Sequence, residues 1–182
     1  ASEHGLDLGP LEPRLPGRLR TRDRRIVLVP TIYERELDRL RASLTAPADD
    51  GLILIGRRDL RSNNSWMHNS TRLVKGPARC TLKIHPADAA ARGLTDGALA
   101  QIASAVGAVV APVELTDELA PGVVSLPHGW GHHRAGTRLA IAGAHAGVSV
   151  NDVLDPAAVD PLTGTAILSG QTVTVTAAGA AA

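Results

Sequence analysis

The sequence predicts a mainly β domain, a barrel or sandwich of about six or seven short strands, behind an N-terminal extension with one amphipathic helix. Three observations carry this. From residue 52 onward, short apolar runs recur between Gly, Pro, Asp and Asn, the pattern of strands joined by turns. The one extended helical periodicity lies before residue 48. With no Phe, one Tyr and two Trp in 182 residues, the core must be filled by Ala, Val, Leu and Ile.

Residues 1–25 hold Pro10, Pro13 and Pro16 and six arginines from Arg14 to Arg25. Proline at that density removes backbone donors and blocks helix, so this stretch reads as a linker or arm. "RIVLVP" (25–30) reads as a strand-like segment. In "PTIYERELDRLRASL" (30–44), Ile32, Leu37, Leu40 and Leu44 share one face of a helix. "TAPADDG" (45–51) breaks the chain. "LILIG" (52–56) is a continuous apolar run, which predicts a strand buried on both faces. "CTLKI" (80–84) alternates as a strand. "HPADAAARGL" (85–94) predicts a short helix, with Pro86 at its first position and Gly93 at its end. Residues 95–115 read as a hairpin turning at Ser104–Gly107. "TDELAPG" reads as a second helical turn, "VVSLP" (123–127) as a strand, and "AILSGQTVTVTA" (166–177) as a closing strand with a frayed tail. Long polar loops leave at 56–79 and 127–165, and loops of that length in a compact domain are usually functional or disordered.

Composition excludes several classes. A net charge of +1 argues against a dedicated nucleic-acid protein. The single Cys80 excludes an intrachain disulfide framework and a cysteine-held iron–sulfur cluster. No apolar run is long enough for a bilayer, and the N-terminus is unlike a secretory signal, so a cytoplasmic protein without membrane contact is expected. Ser125 and His128 lie close in sequence, but no G-x-S-x-G elbow surrounds the serine. Independent catalysis is not expected.

Three polar constellations remain. "GRRDLRSNNSWMHN" (56–69) supplies Gly56 for close backbone approach, the cationic forks of Arg57 and Arg58, and the directional groups Ser65 and Asn69. Trp66 offers a stacking face and His68 a tunable donor. Against that stands a structural reading: the arginines pair with Asp59 or another carboxylate, Trp66 plugs a core, and Asn63 and Asn64 are turn residues. "PHGWGHH" (127–133) places Gly129, Trp130 and Gly131 in a flexible loop. Its His128, His132 and His133 have ligand-like spacing, but no neighbouring Cys, Asp or Glu completes a metal site, so no metal is assigned. "GVSVNDVLD" (147–155) places Asn151 before a helical turn, where a helix N-cap is the alternative to a ligand contact.

In order and spacing, "LILIGRR" with "NNSWMHN", "IHPADAAARGLTDGALAQIAS", "VELTDELAPGVVSLPHGWGH" and "GVSVNDVLDPAAVDPLTGTA" resemble the C-terminal dinucleotide-binding domain of molybdopterin oxidoreductases, the formate dehydrogenase, nitrate reductase and dimethyl sulfoxide reductase superfamily. The resemblance covers about residues 50–177. It implies a six-stranded double-psi β-barrel over 49–178, with residues 1–48 as the tail of a preceding domain. It implies that the chain is part of a larger molybdenum- or tungsten-dependent oxidoreductase, whose other domains are its partners and supply the metal ligand. It further implies that molybdopterin guanine dinucleotide is gripped by Gly56, Arg57, Arg58, Ser65, Trp66, His68, Asn69, Gly129, Trp130, Gly131 and Asn151. Because those domains share the cofactor, the chain alone is expected to be inactive and to hold it weakly or not at all. The alternative is a free-standing double-psi barrel that binds a partner or small molecule, with the Arg-rich arm on an acidic partner.

Overall fold

The structure is a computed structural model that describes residues 4–45 and 50–179. It divides into two compact units on either side of residues 47–48. The junction expected at 48–49 and the last three residues of the tail lie outside the described residues. In the first unit, α1 (Thr31–Thr45) forms where the apolar spacing predicts it, and none of its side chains is buried. "RIVLVP" forms no strand. Its β-branched residues have the propensity, but no neighbouring strand accepts their backbone groups.

The second unit is a closed barrel of β1 (Leu52–Arg57), β2 (Leu82–Ile84), β3 (Leu99–Ala103), β4 (Ala108–Leu115), β5 (Val123–Pro127) and β6 (Gln171–Ala177). Around the barrel the order is β1-β5-β2-β4-β3-β6. β1 runs parallel to β5, and β2 parallel to β4. The remaining neighbours are antiparallel. Advancing every strand number by three maps this set of pairings onto itself, so the barrel is two interlocked three-strand halves. That is the double-psi topology.

Inward positions alternate along the strands: Leu52 and Leu54, Ala100 and Ile102, Val109, Ala111 and Val113, Val173 and Val175. Ile53 of β1 is 38% exposed, so "LILIG" is not buried on both faces. The strand buried on both faces is β5, where Val124 to Pro127 all lie inside. The short helix α3 (Pro86–Ala91) begins at Pro86 as expected and contributes Ala89 to the core. "TDELAPG" forms turns rather than a helix. The 56–79 loop holds a 3-10 turn (Trp66–Asn69) and α2 (Thr71–Val74). The 127–165 stretch holds α4 (Ala140–Ala144) and a second 3-10 turn (Val150–Asp152). The sequence periodicity showed none of these four, because each is too short to develop a repeating apolar face. Among the described residues no helix is long and apolar enough to cross a membrane.

Candidate functional site

Strand pairing brings the polar loops together. In the parallel pair β1·β5, Arg57 stands beside Pro127, so both strands end at the same rim. The Arg57 carbonyl accepts the His128 N–H at 2.9 Å, which fixes the start of the second loop against the end of the first. β6 enters antiparallel beside β1, with Gln171 against Leu54, so the 150–170 segment arrives at that rim too. Three stretches far apart in sequence therefore meet there.

They interlock where only glycine fits. Gly129 has φ +93, and a Cβ on it would lie 1.8 Å from the Asn64 carbonyl oxygen. Gly131 has φ +104, and its Cβ would meet the Ser149 side chain at 2.8 Å. The first loop turns through Asn63 (φ 40) and Asn64 (φ 63), a left-handed pair that asparagine tolerates better than most residues. The hairpin tip between β3 and β4 also reaches this rim, because a Cβ at Gly107 would strike the Asp152 carbonyl.

The resulting cleft centres on His128, which lines three adjoining hollows of about 540, 230 and 110 Å³. Ser65, Gly129, Trp130, Gly131 and Asn151 line the largest. Arg58 borders the other two, and Gly56 the smallest. Arg57 borders the smallest as well, so eight of the sequence-predicted residues share one continuous surface.

Of these eight, Arg57 has its guanidinium engaged by the barrel, and the other three predicted residues line none of the hollows. The Arg57 guanidinium donates to the Ser125 carbonyl at 2.6 Å, to the carbonyls of Arg79 and Thr81 at 3.2 and 2.8 Å, and to Thr81 Oγ1 at 2.8 Å. It ties β1 to β5 and to the chain entering β2. Thr81 in turn donates to Glu114 Oε2 at 2.5 Å. Trp66 is 84% exposed and lines none of the three hollows. Asn69 Oδ1 accepts the backbone N–H groups of Ile141 and Ala142, which tethers the first turn of α4.

His68 is buried behind the cleft. Its ring stacks on Trp130, with centroids 4.0 Å apart. Ser62 Oγ–H donates to the Asn64 carbonyl at 2.6 Å, so its lone pair faces His68 Nε2 at 2.6 Å and accepts that N–H. His68 Nδ1 is then the acceptor for His132 Nε2–H at 2.7 Å. This directional chain needs the His68 ring neutral, because its Nδ1 accepts. Burial depresses the pKa of His68, and the neighbouring His132 depresses it further, with Asp59 opposing; burial also depresses that of His132. The sequence carries no sign of the pairing, because the two histidines are 64 positions apart.

The sign of the pH dependence follows. Depressed folded-state values mean that below pH about 6.5 the unfolded chain binds more protons than the folded one. Stability is therefore expected to be full above that pH and to fall on acidification through the lowered values. Urea unfolding at pH 7.5 and 5.5 checks this. A His68→Gln, His132→Gln double variant is expected to lose less on acidification than the parent chain.

Trp130 is 9% exposed, and its indole N–H has no acceptor among the described residues. The backbone N–H groups of Gly129 and Trp130 also find none there. The indole nitrogen is buried, and Trp130 lines both this cleft and a second hollow beside Cys80 and Gly147. Among the described residues no group of three or more His, Cys, Asp or Glu side chains is placed to hold a metal ion.

A closed double-psi barrel with such a cleft at the rim of its parallel strand pair defines a ligand-binding module. The chain belongs to the molydopterin dinucleotide binding domain family, whose model matches residues 52–173. Over 121 residues it is 28% identical to the molybdopterin-containing subunit of the arsenate respiratory reductase of Chrysiogenes arsenatis, covering 64% of this chain and 14% of that protein. Its fold is similar to that of acetylene hydratase from Pelobacter acetylenicus, with a TM-score of 0.60 at 20% identity, over 83% of this chain and 20% of that one. The chain therefore spans a small fraction of both of these proteins.

Proposed function

We propose that this chain is the dinucleotide-binding domain of a larger molybdenum- or tungsten-dependent oxidoreductase, and that it holds molybdopterin guanine dinucleotide in the cleft around His128. The observation that carries this reading is the buried Trp130 indole N–H, left without a protein acceptor in the wall of a cleft built by three loops. A buried donor without a partner costs about 1–3 kcal/mol, a cost removed when a ligand acceptor meets it. Family membership independently supports a molybdopterin ligand.

The residues present fit such a group. Gly129 and Gly131 let the backbone approach a ligand closely. Ser65 and Asn151 offer both donors and acceptors, which suit the edges of a pterin or guanine. Arg58 supplies positive charge at the mouth for a pyrophosphate. His68 stiffens the Trp130 ring from behind. When bound, the cofactor supplies the redox chemistry at its metal; this domain binds, orients and shields it. The large share of the related subunit outside the matched region supports other domains of the same enzyme as partners and as the second wall of the cleft.

Asn151 is exposed and makes no hydrogen bond among the described residues, so Asn151→Ala is expected to leave the unfolding of the chain within about 0.5 kcal/mol. In the parent enzyme the same change, combined with Ser65→Ala, is expected to reduce retained cofactor, measured as pterin fluorescence after acid extraction. Undiminished cofactor would place the ligand elsewhere.

A further inference from the structure

We propose that Arg134 is the anion-recognition arm of the cleft, held by Asp152 until a phosphate group of the ligand takes the place of that carboxylate. The inference rests on the cofactor reading above and names the residue pair that regulates entry to the same site.

Arg134 and Asp152 both line the largest hollow. They come from different walls, the glycine loop after β5 and the 3-10 turn at 150–152, and they are joined by an ion pair. The Arg134 side chain is 58% exposed and that of Asp152 34% exposed. An ion pair that open to water is weak, so exchanging it for another anion costs little. Among the described residues the pair is also the one side-chain hydrogen bond between the 132–139 segment, exposed from His133 onward, and the 150–152 turn.

The turn that carries Asp152 is fixed. Asp152 N–H donates to the Ser149 carbonyl at 3.1 Å, and the Asp152 carbonyl abuts Gly107. Arg134 sits in the exposed 133–140 stretch, where its carbonyl accepts the Thr137 N–H at 3.1 Å and its side chain bonds only to Asp152. Exchange therefore moves the arginine and leaves the carboxylate in place. A planar guanidinium can meet two phosphate oxygens at once, whereas Arg134 meets Asp152 through Nη2 and Oδ1 alone. With Arg134 on Asp152, the carboxylate is neutralised and the cleft keeps its positive edge in reserve. An anion with two linked phosphates attracts the arm away, whereas a neutral ligand leaves the pair closed. The pair thus selects for phosphorylated ligands.

The test uses the full 182-residue chain and inorganic pyrophosphate, titrated at low ionic strength and followed by the Arg134 side-chain N–H resonance. Asp152→Asn keeps the shape of the turn and frees the arm. It is expected to bind pyrophosphate roughly fivefold or more tightly than the parent chain, the gain of one relieved surface charge interaction. Arg134→Gln is expected to lose a similar factor, and adding Asp152→Asn to it should restore less than Asp152→Asn gives alone. Equal affinity of Asp152→Asn and the parent, or of Arg134→Gln and the parent, overturns the proposal. The cofactor reading is probed separately through the Trp130 indole resonance. A cofactor-induced Trp130 shift with unchanged affinity in Asp152→Asn sinks the latch alone; absence of the shift in every variant sinks both.

Discussion

Gly129→Ala is expected to destabilise the barrel unit by at least about 3 kcal/mol, a fall in Tm of roughly 10 °C. Two costs add. The left-handed φ of +93 costs an L-residue about 1–2 kcal/mol. The new Cβ would also sit 1.8 Å from the Asn64 carbonyl oxygen and 2.5 Å from its carbon, both backbone atoms that move only with their loop. The control is Gly136→Ala. Its φ is +88, yet a Cβ there meets nothing within 4 Å, so only the conformational cost applies. Thermal unfolding of the two variants separates contact from backbone strain. Equal losses would show that the two loops do not interlock at Gly129.

Arg57→Met is expected to cost about 3 kcal/mol or more in urea unfolding. It strips the partner from three carbonyls and from Thr81 Oγ1, and it removes the cation that faces Glu114. An unmet buried acceptor costs about 1–3 kcal/mol, and several are freed together. Arg57→Lys is expected to recover only part of this, since an ammonium cannot span acceptors from three chain segments in one plane. A side chain poised to hold a phosphate would give the opposite pattern, with stability unchanged and ligand affinity lost.

Arg57 also shows where sequence reasoning ends. "GRR" after an apolar run carries two adjacent cations, and nothing local tells which will point to solvent. The parallel neighbour decides it: β5 and the start of β2 present carbonyls to Arg57, while Arg58 alternates to the other side and reaches Asn64. The strands themselves were legible because inward and outward positions alternate in "QTVTVTA" and "GAVVAPVEL", and the hairpin because Ser104–Gly107 closes it with a 2.9 Å backbone bond. "RIVLVP" looked similar and formed no strand, since a strand needs an edge to pair with and not only β-branched residues.

At Gly129 and Gly131 the glycine-rich motif lies where one loop packs on another within reach of a Cβ. The motif did not reveal the depth of the cleft. Trp66 and Trp130 are equally good stacking candidates by residue type, yet one is 84% and the other 9% exposed. What separates them is the fold around Gly129 and Gly147, which sets the Trp130 ring against His68 and its Cβ against Gly147. The His132–His68–Ser62 chain was equally out of reach, because it joins two loops through the barrel closure and through no local pattern.

The two tryptophans make the central claim directly measurable, since the chain has only these two indole N–H groups. Isolated molybdopterin guanine dinucleotide, added at millimolar concentration to nitrogen-15-labelled chain, is expected to shift the Trp130 indole resonance and leave that of Trp66 in place. The affinity expected for the chain alone is weaker than micromolar, because the proposed second wall of the cleft belongs to other domains of the parent enzyme. A shift at Trp66 with none at Trp130 would contradict the account and move the ligand off the His128 cleft.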